Sequence, residues 1–130
     1  MKILAHIHTF NDEDVIDRSL RAVLEQSHPP QEILIVDNGS TDGTLKRSFP
    51  ENVAVIRHPE NRGTSGSVLT GFDYATRNGY DWIWVLDADS IVRPDALEKL
   101  VALHQTLHDT AHIGILSSCV EPMGTRQPVD

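Results

Sequence analysis

The sequence predicts an α/β domain whose mainly parallel sheet is covered by helices on both faces. Short apolar runs alternate with longer amphipathic segments along most of the 130 residues, which is the pattern of repeated strand–helix–strand units. The apolar runs show little polar alternation, as is typical of strands buried in a parallel sheet. Two of these runs lead directly into aspartates, Asp37 and Asp87. We therefore expect a ligand crevice at the carboxyl edge of the sheet.

Three strands and two helices are predicted in the first half of the chain. The strands are short apolar runs at residues 3–7, 33–36 and 53–56. A helix is expected over about 13–26, with its apolar side chains on one face and Asn11 or Asp12 as its N-terminal cap. A second, short helix is expected to begin near Thr44 and to end at about Phe49. These elements form two strand–helix–strand units.

The second half of the chain repeats the alternation once more and then loses it. A helix is expected over about 65–78, followed by an apolar strand at 82–86 that we expect to be buried on both faces. A further helix follows at 94–108, opened by a proline, and a fifth strand at 113–116. Residues 118–130 contain two prolines and a glycine and no convincing element. We expect one domain over residues 1–117 and an irregular tail over 118–130.

Composition and charge narrow the classes of partner. The chain has 11 basic and 19 acidic residues, a net charge of −8, and no basic cluster, so nucleic acid is not expected as a partner. No apolar run approaches the ~20 residues of a membrane span. His6 and His8 interrupt the N-terminal apolar run too early for it to be the core of a signal peptide. The single cysteine, Cys119, is expected to be a buried structural thiol. We expect a cytoplasmic protein, with a peripheral position at the inner face of the membrane as the alternative.

The leading candidate site is the acidic sequence that ends the fourth strand. Residues i and i+2 of an extended chain point to the same side, so Asp87 and Asp89 can face one ligand, and Ala88 between them keeps the backbone approachable. Two carboxylates suit Mg²⁺ or Mn²⁺, which fills its remaining positions with phosphate oxygens and water. The alternative is a turn whose aspartates cap the following helix.

Two further loops are candidate ligand contacts. Asp37 ends the second strand and is followed by Asn38 and Gly39 in a turn, so its carboxylate can accept from a base N–H or a ribose hydroxyl. Its alternative role is an Asx-type turn that caps the next helix. Arg62 and Gly63 precede a helix N-terminus, where amides and the helix dipole favour an anion. Their alternative is an ordinary loop with a surface arginine.

Several other chemistries are not supported by the spacing of residues. There is no Walker sequence, and the loop after the first strand has no glycine, which argues against a dinucleotide fingerprint. His104 and His108 have the spacing of a zinc-binding helix, but Gln105 stands where a general-base glutamate is needed. We expect that pair to be packed rather than metal-bound. His6 is expected to point inward, whereas His8 ends the first strand and can touch a ligand.

Together these motifs resemble the donor-binding half of the inverting family 2 glycosyltransferases, which have the GT-A fold. The resemblance covers roughly residues 2–117. It is carried by four blocks in the family's order and spacing: Thr9-Phe10-Asn11, Val36 to Thr44, Asn61-Arg62-Gly63 with Gly66, and Asp87-Ala88-Asp89.

The resemblance implies a nucleotide-sugar donor, UDP- or dTDP-linked, and Mn²⁺ or Mg²⁺ as the cofactor. It places Thr9 and Phe10 beside the base, with Asp37 bonding the base imide. It places Arg62 near the diphosphate, Asp87 at the ribose or metal, and Asp89 at the metal. The full set of expected nucleotide-sugar-binding residues is His8, Thr9, Phe10, Asn11, Asp37, Asn38, Gly39, Arg62, Gly63, Asp87 and Ala88, with Asp87 and Asp89 as metal ligands.

The chain departs from the family pattern in two places. Asn38 stands where the family often has a second acid. The family's catalytic base lies in the acceptor-binding half, whereas this sequence continues for only 41 residues after Asp89, and no residue is nominated as the base. We expect residues 1–117 to be the donor half and residues 118–130 to lead into an acceptor half outside this sequence.

The expected function is transfer of a sugar to a carbohydrate or lipid-linked acceptor, metal-assisted and inverting, with a lean toward cell-surface polysaccharide synthesis. Two alternatives stay open. One is a non-catalytic nucleotide-sugar-binding or partner module. The other is a phosphotransferase of the haloacid dehalogenase type, which would place its Asp-x-Asp motif on the first strand rather than about the fourth. A homodimer is also expected if the domain leaves an apolar patch exposed.

Overall fold

The computed structural model describes residues 1–107 and 113–117, and within them the chain forms a parallel sheet with helices on both faces. The sheet has four strands in the order β3-β2-β1-β4, and every adjacent pair is parallel. The elements in chain order are β1 (Ile3–Thr9), α1 (Ile16–Leu24), β2 (Glu32–Asp37), β3 (Val53–Arg57), α2 (Gly63–Arg77), β4 (Trp82–Asp87) and α3 (Ala96–Thr106). The predicted fold class is confirmed.

The two central strands carry the core, because a helix packs on each of their faces. On one face, Ala5 and Ile7 of β1 pack with Ile16, Leu20 and Val23 of α1. The opposite face is formed by alternate residues of the same strands. There the contributors from the sheet and from α2 are Leu4, Leu34, Val36 and Ala75. This two-sided burial explains the uninterrupted apolar runs of β1 and β2.

The expectation that the fourth strand is buried on both faces is wrong. In the described part of the sheet β4 is an edge strand, and Val85 is 42% exposed. Trp82 and Trp84 pack beside Ile3 and the buried face of α3, and Ile83 packs on the α2 side, but all three are only partly buried. An apolar run fits an edge strand and a central strand equally well, since the run itself does not specify its neighbours.

Two predicted elements do not form. Residues 44–49 do not form a helix, although Asp42 Oδ1 accepts from Thr44 N at 3.0 Å and from its hydroxyl at 2.5 Å as an N-terminal cap does. So short a segment does not gain enough helical hydrogen bonds to offset the cost of nucleation. Residues 113–117 are not a strand, and Ile115 is 85% exposed. This apolar run pairs with no strand in the described residues.

The predicted helix start at 13 is also displaced. α1 begins at Ile16, and neither Asn11 nor Asp12 caps it with a side chain; instead, the Asp12 carbonyl accepts from Val15 N at 3.0 Å and Ile16 N at 2.9 Å. His104 packs edge-on against Trp82, with ring centroids 5.1 Å apart, as expected for a packed histidine. His108, Cys119 and the tail 118–130 lie outside the described residues.

A buried histidine makes the stability of this fold depend on pH. His6 lies under α2 with none of its surface exposed, and its Nε2 atom is 3.1 Å from Ser67 O. Burial lowers the pKa of His6 below its ordinary value of 6.5, because the charged ring is poorly solvated. The unfolded chain therefore binds more protons as the pH falls below about 6.5. Above that pH we expect His6 to add no pH dependence to the free energy of unfolding. Below it we expect His6 to lower the free energy of unfolding as the pH falls.

The measurement is urea unfolding at pH 7.5 and pH 5.0 for the wild type and for His6→Gln. The variant should lose less stability between the two pH values, because its buried group does not titrate. Some loss should remain, since burial also lowers the pKa of His58. His28→Gln removes a histidine that is not fully buried and serves as the control. An equal pH dependence in wild type and His6→Gln would contradict this assignment.

Candidate functional site

A cavity of about 280 Å³ lies where the β1 and β4 strands end, at the sheet edge where ligands are expected in α/β folds. The strand ends, the β2 loop and the start of α2 all contribute to it. The lining residues are His8, Phe10, Asp12, Asn38, Asn61, Gly63, Thr64, Asp87, Ala88 and Asp89.

The acidic strand end faces this cavity with exposed carboxylates. The Asp87 side chain is 59% exposed, and its Oδ1 is 3.1 Å from His8 Nδ1. The two atoms lie within ion-pair distance without the geometry of a hydrogen bond. Ala88 is buried and donates its backbone N to His8 O at 3.2 Å. Asp89 is exposed beside them. The alternative role as a helix cap is excluded, because α3 starts after Asp95.

The cavity's chemistry fits a hard divalent cation that also binds a ligand. Asp87 and Asp89 supply oxygen atoms, which Mg²⁺ and Mn²⁺ prefer. Within the residues that the structure describes, no third histidine, cysteine or acid joins them in a ligand group. A cation held there by one or two carboxylates would keep positions free for phosphate oxygens and water.

The β2 loop is organised by Asp37, which has no exposed side-chain surface. Its carboxylate accepts from Gly39 N at 3.2 Å, Ser40 N at 3.0 Å and Ser40 Oγ at 2.5 Å. Gly39 has φ +83°, and a Cβ there would lie 3.4 Å from the Glu60 backbone, so the turn requires glycine. Asp37 thus makes the Asx-type turn, without a following helix. Its contact with a nucleobase stays a prediction.

In the loop after β1, some residues line the cavity and others form hydrogen bonds that hold the loops together. Phe10 is 43% exposed and lines the cavity. Thr9 is buried and donates its hydroxyl to Asp12 Oδ2 at 2.6 Å. Asn11 Oδ1 accepts from Thr41 N at 2.8 Å and so joins this loop to the β2 loop. Thr9 and Asn11 therefore hold the loops together, and their expected ligand contacts stay predictions.

The loop after β3 leads into the N-terminus of α2, whose first residues face the cavity. Gly63 and Thr64 line the cavity, as does Asn61, which accepts from Gly63 N at 2.8 Å. Arg62 is the N-cap residue; it is exposed and lies outside the lining. The free amides and the dipole of a helix start favour an anion. The contact of Arg62 with phosphate stays a prediction.

The structure brings together most of the residues predicted from sequence. Those that line the cavity are His8, Phe10, Asn38, Gly63, Asp87, Ala88 and Asp89, and those that do not are Thr9, Asn11, Asp37, Gly39 and Arg62. Sequence reasoning misses Asp12 as a lining residue and interprets it as a helix cap, although its place after a strand end is the available signal. Asn61 and Thr64 also line the cavity; they belong to the same loop and helix start as Arg62 and Gly63, and Asn61 is part of the family block.

The fold and the crevice define an α/β domain of the GT-A class, with a polar, acidic ligand site at the carboxyl edge of its sheet. The model of the glycosyl transferase family 2 matches residues 5–128. The chain therefore belongs to glycosyl transferase family 2, as its motifs predicted. Membership in this family argues against the phosphotransferase alternative.

Relatives in this family include proteins of lipid-linked sugar and polysaccharide synthesis. Polyprenol monophosphomannose synthase of Mycolicibacterium smegmatis is 31% identical, over 77% of this chain and 40% of its own length. The succinoglycan biosynthesis protein ExoO of Rhizobium meliloti is 34% identical, over 73% of this chain and 27% of its own. The chain therefore spans well under half the length of these relatives.

Solved structures confirm the fold. A mannosyltransferase from Pyrobaculum calidifontis, solved in complex with GDP-Man and Mn²⁺, superposes with a TM-score of 0.69 at 24% identity. The match covers 79% of this chain and 32% of that one. As for the membrane, none of the helices in the described residues is long and apolar enough to cross it.

Proposed function

We propose that this chain is the donor-binding part of an inverting glycosyltransferase that uses a nucleoside-diphosphate sugar and Mn²⁺ or Mg²⁺. The observation that carries the proposal is the charge of the cavity. Its lining contains Asp12, Asp87 and Asp89 and neither lysine nor arginine. Three carboxylates would repel a diphosphate. A divalent cation held by Asp87 and Asp89 is the simplest way for this site to bind a diphosphate.

Different lining residues would contact different parts of the bound nucleotide. Phe10 offers an exposed ring on which a base can stack. The start of α2 faces the phosphates, and Asp87 and Asp89 would hold the metal. When bound, the metal supplies a Lewis acid that stabilises the departing diphosphate, a role worth several kcal/mol. Arg62 is proposed to lie at the diphosphate. Asp37 at the imide is the part of the proposed pose that needs its loop to rearrange, because its side chain has no exposed surface.

The acceptor is proposed from the relatives' names. One relative is named for mannosylation of a polyprenol phosphate and the other for a polysaccharide, which supports a lipid-linked or carbohydrate acceptor for this chain too. A position in the cytoplasm or at the inner face of the membrane suits either acceptor. A homodimer stays a prediction, for which Leu69 and Phe72 on α2 offer exposed apolar surface.

Calorimetric titration of the chain tests the nucleotide site. We expect UDP or dTDP to bind in the presence of Mn²⁺, and to lose at least about tenfold in affinity with a chelator, because the phosphates then face uncompensated carboxylates. GDP is included because the Pyrobaculum enzyme was solved with GDP-Man. Binding that ignores the chelator would contradict metal assistance, and the absence of binding by all three nucleotides would contradict the site.

A non-catalytic nucleotide-sugar-binding module is the second candidate. It requires only the donor site, because no residue of this sequence is nominated as catalytic base. Both candidates predict nucleotide binding, so a transfer assay with a panel of lipid-linked and carbohydrate acceptors separates them. Sugar transfer or donor hydrolysis by the chain would contradict the module.

A further inference from the structure

A chain of hydrogen bonds behind the cavity ends on Asn38, one of the lining residues. His58 lies in the loop after β3 and is 4% exposed. Its Nδ1 atom is 3.0 Å from Asn38 Oδ1, and its Nε2 atom is 2.8 Å from the Thr70 hydroxyl on α2. The Asn38 amide nitrogen donates to Gly63 O at 3.2 Å. Segments from β2, β3 and α2 therefore meet at one side-chain amide.

These neighbours allow only one orientation of the Asn38 amide. A carbonyl oxygen accepts and does not donate, so the amide nitrogen must face Gly63 O; the flipped amide would place two oxygens 3.2 Å apart. Asn38 Oδ1 then faces His58, whose Nδ1 must carry the hydrogen and donate it. Burial and the nearby Arg62 charge lower the pKa of His58, which favours the neutral ring. In that form Nε2 can only accept, so the single hydrogen of the Thr70 hydroxyl points to Nε2 and not to Gly66 O, the other acceptor in reach at 3.0 Å.

We propose that His58 is a positioning residue of the nucleotide site and holds the Asn38 amide so that it presents an N–H group to the bound nucleotide. One hydrogen of the Asn38 amide binds Gly63 O, and the other meets no acceptor within the part of the chain that the structure describes. The ligand atom it binds is therefore a hydrogen-bond acceptor, such as a base carbonyl or a ribose oxygen. This inference rests on the proposed function, because the acceptor belongs to a nucleotide.

The pairing of residues at this point determines what the site can recognise. An aspartate at position 38 would place a carboxylate oxygen against Gly63 O and would offer the ligand acceptors only. An asparagine without His58 could rotate, because nothing would fix its oxygen. His58 thus converts a freely rotating amide into a hydrogen-bond donor of fixed direction.

The ring tautomer of His58 tests the arrangement without any nucleotide. Long-range ¹H–¹⁵N correlation spectra of the chain distinguish a hydrogen on Nδ1 from one on Nε2. We expect the Nδ1–H form in the wild type and a shift to the Nε2–H form in Asn38→Ala, which removes the acceptor. An Nε2–H ring in the wild type would overturn the proposal, and this readout is unaffected if the proposed function fails.

Two variants of His58 then separate positioning from folding. His58→Asn keeps an N–H near the Nδ1 position, toward Asn38, and loses the Thr70 contact. His58→Gln reaches toward Thr70 and loses the contact with Asn38. Each keeps one hydrogen bond, so we expect similar losses of thermal stability. Nucleotide affinity in Mn²⁺ should stay within about twofold of wild type in His58→Asn and fall about five- to tenfold in His58→Gln. Equal affinities in the two variants would overturn the proposal.

Discussion

Replacing Asp89 with alanine is expected to remove the metal-dependent part of nucleotide binding, the same loss of at least about tenfold in affinity that a chelator causes. Asp89 is exposed at the cavity, and the two carboxylates nearest the strand end are its own and that of Asp87. Without it a divalent ion keeps one protein carboxylate, and the diphosphate loses the cation that offsets the acidic lining. Calorimetric titration with UDP, dTDP and GDP in Mn²⁺ measures this loss.

The control for this prediction is Asp14→Ala. It removes the same charge from an exposed residue that does not line the cavity, so any general effect of net charge appears in both variants. We expect Asp14→Ala to bind as the wild type does, and both variants to unfold at similar temperatures because both side chains are exposed. Mn²⁺-dependent binding that persists in Asp89→Ala would show that the metal is held elsewhere.

Replacing Gly71 with alanine is expected to destabilise the fold by roughly 1–3 kcal/mol or more. A Cβ at this position would lie 2.4 Å from Cδ2 of the His6 ring, and the ring is held between β1 and α2 with its Nε2 at Ser67 O. Relief would require α2 to move away from the sheet, or His6 to leave its position. The free energy of unfolding in urea measures the cost.

A double-mutant cycle tests whether this contact is the cause. In a His6→Ala background the ring is absent, so Gly71→Ala should no longer destabilise. It should instead stabilise by up to about 1 kcal/mol, because alanine favours a helix interior over glycine. A reversal of sign between the two backgrounds is therefore expected. If Gly71→Ala costs the same in both, the ring is not what limits the approach of α2.

Much of the fold could be predicted from local sequence. The runs that became β1, β2, β3 and β4 are short and apolar, and each is followed by polar loop residues, so their existence and order followed from pattern alone. The secondary-structure predictions that are wrong concern short segments, whose structure depends on contacts with other parts of the chain. Residues 44–49 do not form a helix and residues 113–117 are not a strand.

The candidate site was predictable where it depends on strand ends. Asp87 faces the cavity as the last residue of β4, and Ala88 and Asp89 line it from the turn that follows directly, where Ser90 N donates to Asp87 O at 3.1 Å. Asp37 stands at a strand end as well, yet its carboxylate turns back to bind the amides of its own loop. Both residues are aspartates at the end of an apolar strand. Only the path of the loop that follows decides whether the carboxylate faces the cavity, as in Asp87, or binds its own loop, as in Asp37.

The sequence by itself determined the order of the strands along the chain, the family and the acidic strand end that faces the crevice. These follow from periodicity and from residue types at fixed spacing. Tertiary structure alone decided that β4 is an edge strand of the described sheet, that Thr9 and Asn11 join loops, and that His58 orients Asn38. The reason is physical: each of these depends on a hydrogen-bond or packing partner from a distant segment, and its position is set only once the sheet has assembled.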